Sequence, residues 1–99
     1  MPEFGSFLPG MNAERRLTHD ELVRAIRYFV AAEYEAVQLY MQIADSIDDE
    51  RAIKVLADVS DEERVHAGEF LQLLYALEPS EKELYRRGAD EVDELLAGG

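Results

Sequence analysis

Between Thr18 and Ile47 the chain contains no Gly and no Pro, and its apolar residues return every three or four positions. That combination specifies a long amphipathic helix of roughly 30 residues, about 45 Å at 1.5 Å per residue. Thr18-His19-Asp20-Glu21 sets Thr and Glu at the spacing of a capping box, which predicts where the helix begins. A second apolar-periodic stretch follows almost at once. Asp48-Asp49-Glu50 offers an N-cap and first-turn acids for a helix running to about Leu77. So short a link makes the two helices antiparallel neighbours, a helical hairpin. Glu78-Pro79-Ser80 then breaks the pattern. Ser80 and Glu83 repeat the capping-box spacing and predict a shorter third helix to about Leu96, closed by Gly98-Gly99.

The expected fold is therefore all-α: an antiparallel two-helix hairpin plus a short C-terminal helix over residues 18–97, preceded by a flexible N-terminal segment at 1–17. A chain of 99 residues makes one small domain. Two long helices present too few faces to bury both apolar stripes, and the third is too short to cover them. A second copy should supply the missing layer. Two hairpins, crossing at angles near those of coiled coils, would make a homodimeric four-helix bundle.

Composition limits the partners. A formal net charge of -12 argues against nucleic acid, whose phosphates are held by clustered Lys and Arg. An acidic surface suits cations and solubility without specifying a site. The chain has no cysteine, which excludes disulfides, zinc fingers and iron-sulfur or rubredoxin-type sites. Met1 to Asn12 has neither a basic start nor a long apolar stretch, so it reads as neither signal peptide nor membrane anchor. A cytoplasmic protein without membrane contact is the expectation.

Polar residues interrupt the seam of the hairpin. In the first helix the inward positions read Leu22, Ile26, Phe29, Glu33, Val37 (with Ala36), Tyr40, Ala44 and Ile47. In the second they read Ala52, Leu56, Val59, Glu63, His66, Phe70, Leu73 and Leu77. Glu33 stands mid-seam, and Glu63 and His66 are consecutive seam positions. A carboxylate on a packed seam costs several kcal/mol unless a cation, a donor or a proton compensates it. Glu63-x-x-His66 aims a carboxylate and an imidazole from one helix face at a common point. Di-metal carboxylate bundles take one Glu from each of two helices and one Glu-x-x-His from each of the other two. One chain holds one of each, half the set, and a two-fold pair completes it.

Mixed carboxylate and imidazole ligands without sulfur suit iron, manganese, cobalt or zinc. Calcium prefers all-oxygen shells and ranks only as a further substitute. Iron fits best, because carboxylates bridge a close cation pair and offset its repulsion, and a pair of Fe(II) ions can each give one electron to oxygen. Tyr40, one heptad after Glu33, reads equally as a hydroxyl supporting a ligand and as a core aromatic. Glu35 and Glu62 flank the seam, where carboxylates either pass cations inward or stand solvated. His19 reads as a surface residue. Tyr28, Tyr34, Tyr75, Tyr85 and Met41 read as packing or interface residues.

Ala32-Glu33-Tyr34-Glu35-Ala36-Val37-Gln38-Leu39-Tyr40, followed by Asp61-Glu62-Glu63-Arg64-Val65-His66-Ala67-Gly68-Glu69-Phe70, resembles the encapsulated ferritins, ferritin-like proteins housed in encapsulin nanocompartments. The resemblance implies a ferroxidase centre at the dimer interface with Glu33, Glu63 and His66 as iron ligands. It also implies a supporting role for Tyr40 and a cation-approach carboxylate at Glu35, although the neighbouring family acid is Ala32 here. Dimers of that family join into a ring, usually a decamer, and depend on the encapsulin shell protein for storage, so the implied location is the cytoplasm, inside the nanocompartment. Two other readings stand beside it. One is a non-catalytic dimerising module that uses buried Glu and His to fix register. The other is a rubrerythrin-like di-iron peroxidase, weakened by the lack of cysteine.

Overall fold

The computed structural model describes residues 15–98, which form three helices in the order α1 (His19–Ala44), α2 (Glu50–Leu77) and α3 (Pro79–Gly98). The expected segment at 1–17 falls mostly outside the described residues. Among those described, no residue is in a strand.

Each helix starts where local chemistry satisfies its first N–H groups. Thr18 caps α1 in a full capping box: its Oγ1 accepts from the Glu21 N–H at 3.1 Å, and the Glu21 carboxylate accepts from the Thr18 N–H at 2.9 Å. The Arg15 guanidinium forks onto the same carboxylate at 2.8 and 2.7 Å. Together these donors pull the Glu21 carboxyl down to about 2. Asp49 caps α2 by accepting from the Arg51 and Ala52 N–H groups. The helix before it ends at Ala44, three residues sooner than the apolar period implies, and Asp45 to Asp49 make the turn.

The start of α3 corrects the sequence expectation. Ser80 does not cap it. Proline occupies the first helical position, where its fixed φ is already suitable and no N–H is missed, and the Ser80 hydroxyl instead donates to the Glu78 carboxylate at 2.7 Å. Glu78 is the only residue between α2 and α3.

The core lies between α1 and α2. Val23, Ile26 and Leu74 are buried together, with Phe29, Phe70, Leu71 and Leu77 packed around them. The Phe29 and Phe70 rings meet at 5.4 Å. Small residues, Ala44, Ala67 and Ser60, allow close approach elsewhere along the hairpin. The buried face is thus rotated from the sequence seam: Val23 and Leu74 are inside, whereas Leu22 and Leu73 are 36% and 44% exposed. The stripe is wider than one helix contact needs, and its remainder faces outward. The radius of gyration is 17.4 Å, against about 13 Å for a compact domain of this length. With a thickness of only 20 Å, the molecule is an open layer.

The third helix touches this layer at its base. Glu81 is its one buried residue. Its carboxylate accepts from Arg27 Nε and Nη2 on α1, at 3.0 and 2.9 Å, and from the Tyr85 hydroxyl. Tyr85 also meets the Tyr75 ring of α2 edge-on at 5.9 Å. These donors hold the Glu81 carboxyl below its ordinary range, and the adjacent carboxylate pushes the Tyr85 phenol up to about 12.

Candidate metal centre

The hairpin brings Glu33 of α1 against Glu63 and His66 of α2. Ligand-type atoms of these three residues lie within 4.8 Å of one another. His66 Nδ1 is 2.9 Å from Glu63 Oε1 and 3.2 Å from Glu33 Oε2. Both carboxylates are largely shielded, with side chains 17% exposed, while the imidazole is 52% exposed. The geometry follows from the helical period. Residues three apart on α2 share a face, and the antiparallel pairing sets Glu33 opposite them.

The donors do not balance the acceptors. One imidazole serves two carboxylates, and a neutral ring has one N–H to give. Glu33 Oε2 lies within ion-pair range of Nδ1, yet it is one of two buried side-chain atoms among the described residues with no hydrogen-bond partner, the other being Ser60 Oγ. His66 Nδ1 is in hydrogen-bond geometry with Glu63 Oε1, and the Glu33 oxygen faces the cluster without a hydrogen-bond partner. Burial, and then the neighbouring Glu63, push the Glu33 carboxyl up. Hydrogen bonding to Glu63 raises His66 in turn. A carboxylate oxygen stranded beside a second carboxylate and an imidazole is the pattern a cation would resolve. The donor set, oxygen and nitrogen without sulfur, fits a first-row transition ion.

The remaining sequence candidates lie around this group. Tyr40 is half-buried two turns along the face that carries Glu33. Glu35 is exposed and points to another side of α1, outside the convergent group. Glu62 is exposed beside Glu63. His19 is exposed and 4.0 Å from Glu78 Oε1. An open groove of about 620 Å³, lined by Tyr34, Val37, Arg64, Ala67 and Leu71, runs along the opposite flank of the hairpin. It is mostly apolar and lacks converging acids, so the shielded carboxylates mark the better site. The Arg27–Glu81–Tyr85 network was not legible in the sequence: Tyr85 is one helical turn from Glu81, but Arg27 lies 54 positions before Glu81 on another helix, and no periodicity links the two.

A family model described as Rubrerythrin matches residues 22–94, and the chain belongs to that family. The likeness to encapsulated ferritins extends to solved structures. The crystal structure of the encapsulated ferritin domain from Pyrococcus furiosus superposes with a TM-score of 0.82 at 39% identity, covering 88% of this chain and 90% of that one. Among curated proteins, the ferritin-like-encapsulin shell fusion protein of Pyrococcus furiosus is 39% identical over 85 residues. The encapsulin nanocompartment cargo protein EncC of Myxococcus xanthus has the same identity over the same length. The matches take in 86% of this chain but 25% of the fusion protein and 65% of the cargo protein.

Proposed function

We propose that the chain is a ferroxidase, oxidising Fe(II) to Fe(III) with oxygen at a di-iron centre formed between two copies and supplying iron for storage in an encapsulin nanocompartment. The observation that carries this reading is the shielded Glu33–Glu63–His66 group, which offers three side chains on one flank of a single-layer hairpin. Three ligands are too few for two metal ions. A second copy related by a two-fold axis would double them to the four Glu and two His that di-iron bundles use. The half-exposed Leu22 and Leu73 at one end of that flank, and Ile43 and Val55 at the other, supply apolar surface on both sides of the polar centre.

The residues have distinct roles in this reading. Glu33, Glu63 and His66 would hold the metal, the two glutamates through carboxylate oxygens and neutral His66 through a ring nitrogen. Tyr40 supports the site from the same face, and Glu35 lies where cations approach. When bound, iron supplies the redox chemistry, each Fe(II) giving up one electron to dioxygen. Manganese, cobalt, zinc or calcium would bind without that outcome being required. A metal-free role in dimer specificity accounts for the Glu63–His66 hydrogen bond but leaves the stranded Glu33 oxygen unexplained. The names of the relatives support a location within an encapsulin shell, with that shell protein as partner; in the same reading the metal-centred dimers would join into a ring such as a decamer. No helix of the described residues is long and apolar enough to cross a membrane.

Aerobic Fe(II) oxidation, followed by absorbance with oxygen uptake per iron, tests the assignment. His66→Ala should slow it by more than the roughly 10–100-fold that losing an outer partner of a metal ligand costs, with helices intact by circular dichroism. Unchanged oxidation at matched oligomer would make the triad structural.

A further inference from the structure

Ser60 is 1% exposed, and its Oγ is, with Glu33 Oε2, a buried side-chain atom without a hydrogen-bond partner among the described residues. The other described serines are satisfied: Ser46 donates to the Gln42 carbonyl at 2.7 Å, and Ser80 donates to the Glu78 carboxylate. A buried hydroxyl inside a helix ordinarily returns to the carbonyl one turn back. Ser60 does not, and a polar group left alone in the interior is destabilising. Packing does not ask for the hydroxyl. Ser60, Ala67 and Leu74 recur at heptad spacing as the buried residues of α2, on the line that meets Val23 and Ile26 of α1. Ala67 shows that a methyl group suffices one heptad later on this line, and alanine is the better helix former.

The place of Ser60 in the hairpin points to the acids. Glu63 follows it by one helical turn, and residues three apart share a helix face. Side chains on a helix lean toward its N-terminus, so the turn within reach of the Glu63 carboxylate is the one that carries Ser60. Glu33, which owns the other unpartnered atom, meets Glu63 from α1. An unpartnered donor on one side and an unpartnered acceptor on the other therefore flank a single carboxylate. Its Oε1 is engaged by His66 Nδ1 at 2.9 Å. We propose that Ser60 is a positioning residue of the metal centre, its hydroxyl donating to the Glu63 carboxylate when that carboxylate exchanges His66 for a cation. The role rests on the proposed metal site at Glu33, Glu63 and His66. A hydrogen bond to one carboxylate oxygen fixes which oxygen faces the ion, and partners of this kind set the affinity of a metal ligand.

The experiment is titration of the full chain with Co(II), whose visible absorption reports its ligands without any oxidation step, together with thermal unfolding in chelator. Ser60→Ala should weaken Co(II) binding roughly 10–100-fold. The same variant should melt higher than the parent in chelator, by about 4 °C or more, because the hydroxyl it removes has no partner there. A residue that only fills space would move neither quantity in this combination. Ser60→Thr and Ser60→Val have the same shape and differ by the hydroxyl, so the Thr variant should bind Co(II) more tightly than the Val variant by a similar factor. Equal Co(II) affinity in the parent and Ser60→Ala, or in the Thr and Val variants, would overturn the role while leaving the metal site intact. Weaker binding accompanied by earlier melting of Ser60→Ala in chelator would make Ser60 a packing residue and overturn it as well. A parent chain that takes up no Co(II) would remove the metal site and this role together.

Discussion

Glu81 and Glu33 are both glutamates shielded at a contact with another helix, and their surroundings differ by the number of donors. The Glu81 carboxylate accepts from two nitrogens of Arg27 and from the Tyr85 hydroxyl. Glu33 shares one imidazole with Glu63 and keeps an oxygen with no donor. The first carboxyl is accordingly held below its ordinary range and the second above it. A saturated carboxylate joins helices, whereas an unsaturated one stores a binding preference that the folded chain cannot meet alone. Burial by itself would not have separated them.

The same substitution should therefore act in opposite directions at the two places. Glu33→Leu should abolish iron uptake and raise the stability of the metal-free protein by about 1–2 kcal/mol, since it removes a carboxylate with no compensating donor. Glu81→Leu should leave the metal ligands in place and lower stability by about 1–2 kcal/mol, a modest loss because the half-exposed Arg27 rehydrates. Thermal unfolding in chelator, with iron analysis of loaded samples, reads both. Changes of the same sign would remove the distinction.

Acid and base should separate the clusters as well. Glu81, with its folded pKa depressed, contributes stability that is present above the ordinary carboxyl range and lost as pH falls through its folded value. Glu33 and His66, both raised, contribute stability present below their unfolded values and lost as pH rises through their folded ones. Melting temperatures of metal-free protein should therefore fall on both sides of a maximum. Glu81→Gln should flatten the acid limb, and His66→Ala should flatten the limb above about pH 6.5, the ordinary imidazole value. Limbs that respond to the opposite variant would contradict the assignment.

The smallest expected effect is at Glu35, which is exposed and outside the convergent group. Glu35→Ala should alter the oxidation rate or its iron dependence by a few-fold, on the order of what loss of a charge that concentrates cations costs, while bound iron stays constant. Loss of bound iron in that variant would make Glu35 a ligand.

Sequence patterns read the local features well because their causes are local. The capping box at Thr18 and Glu21 and the Asp49 cap lie within four residues of what they satisfy. The convergence of Glu33, Glu63 and His66 was legible because a short link fixes antiparallel pairing and the helical period fixes the faces. The exact facing was not. The apolar stripe serves both the hairpin and outward surface, so periodicity could not tell Val23 from Leu22 or Leu74 from Leu73. The Ser80 cap failed because Pro79 starts the helix one residue sooner. The Arg27–Glu81 pair escaped notice because nothing in either helix alone specifies where α3 leans.

In the proposed function one chain holds half a metal site. Native mass measurement during anaerobic Fe(II) titration tests it most directly, because metal that binds only a completed site must favour the assembled state. Iron should convert single chains to pairs, or to multiples of pairs, carrying two irons per two chains, and His66→Ala should abolish both the uptake and the shift. A single chain that binds two irons, with no change in assembly, would contradict it.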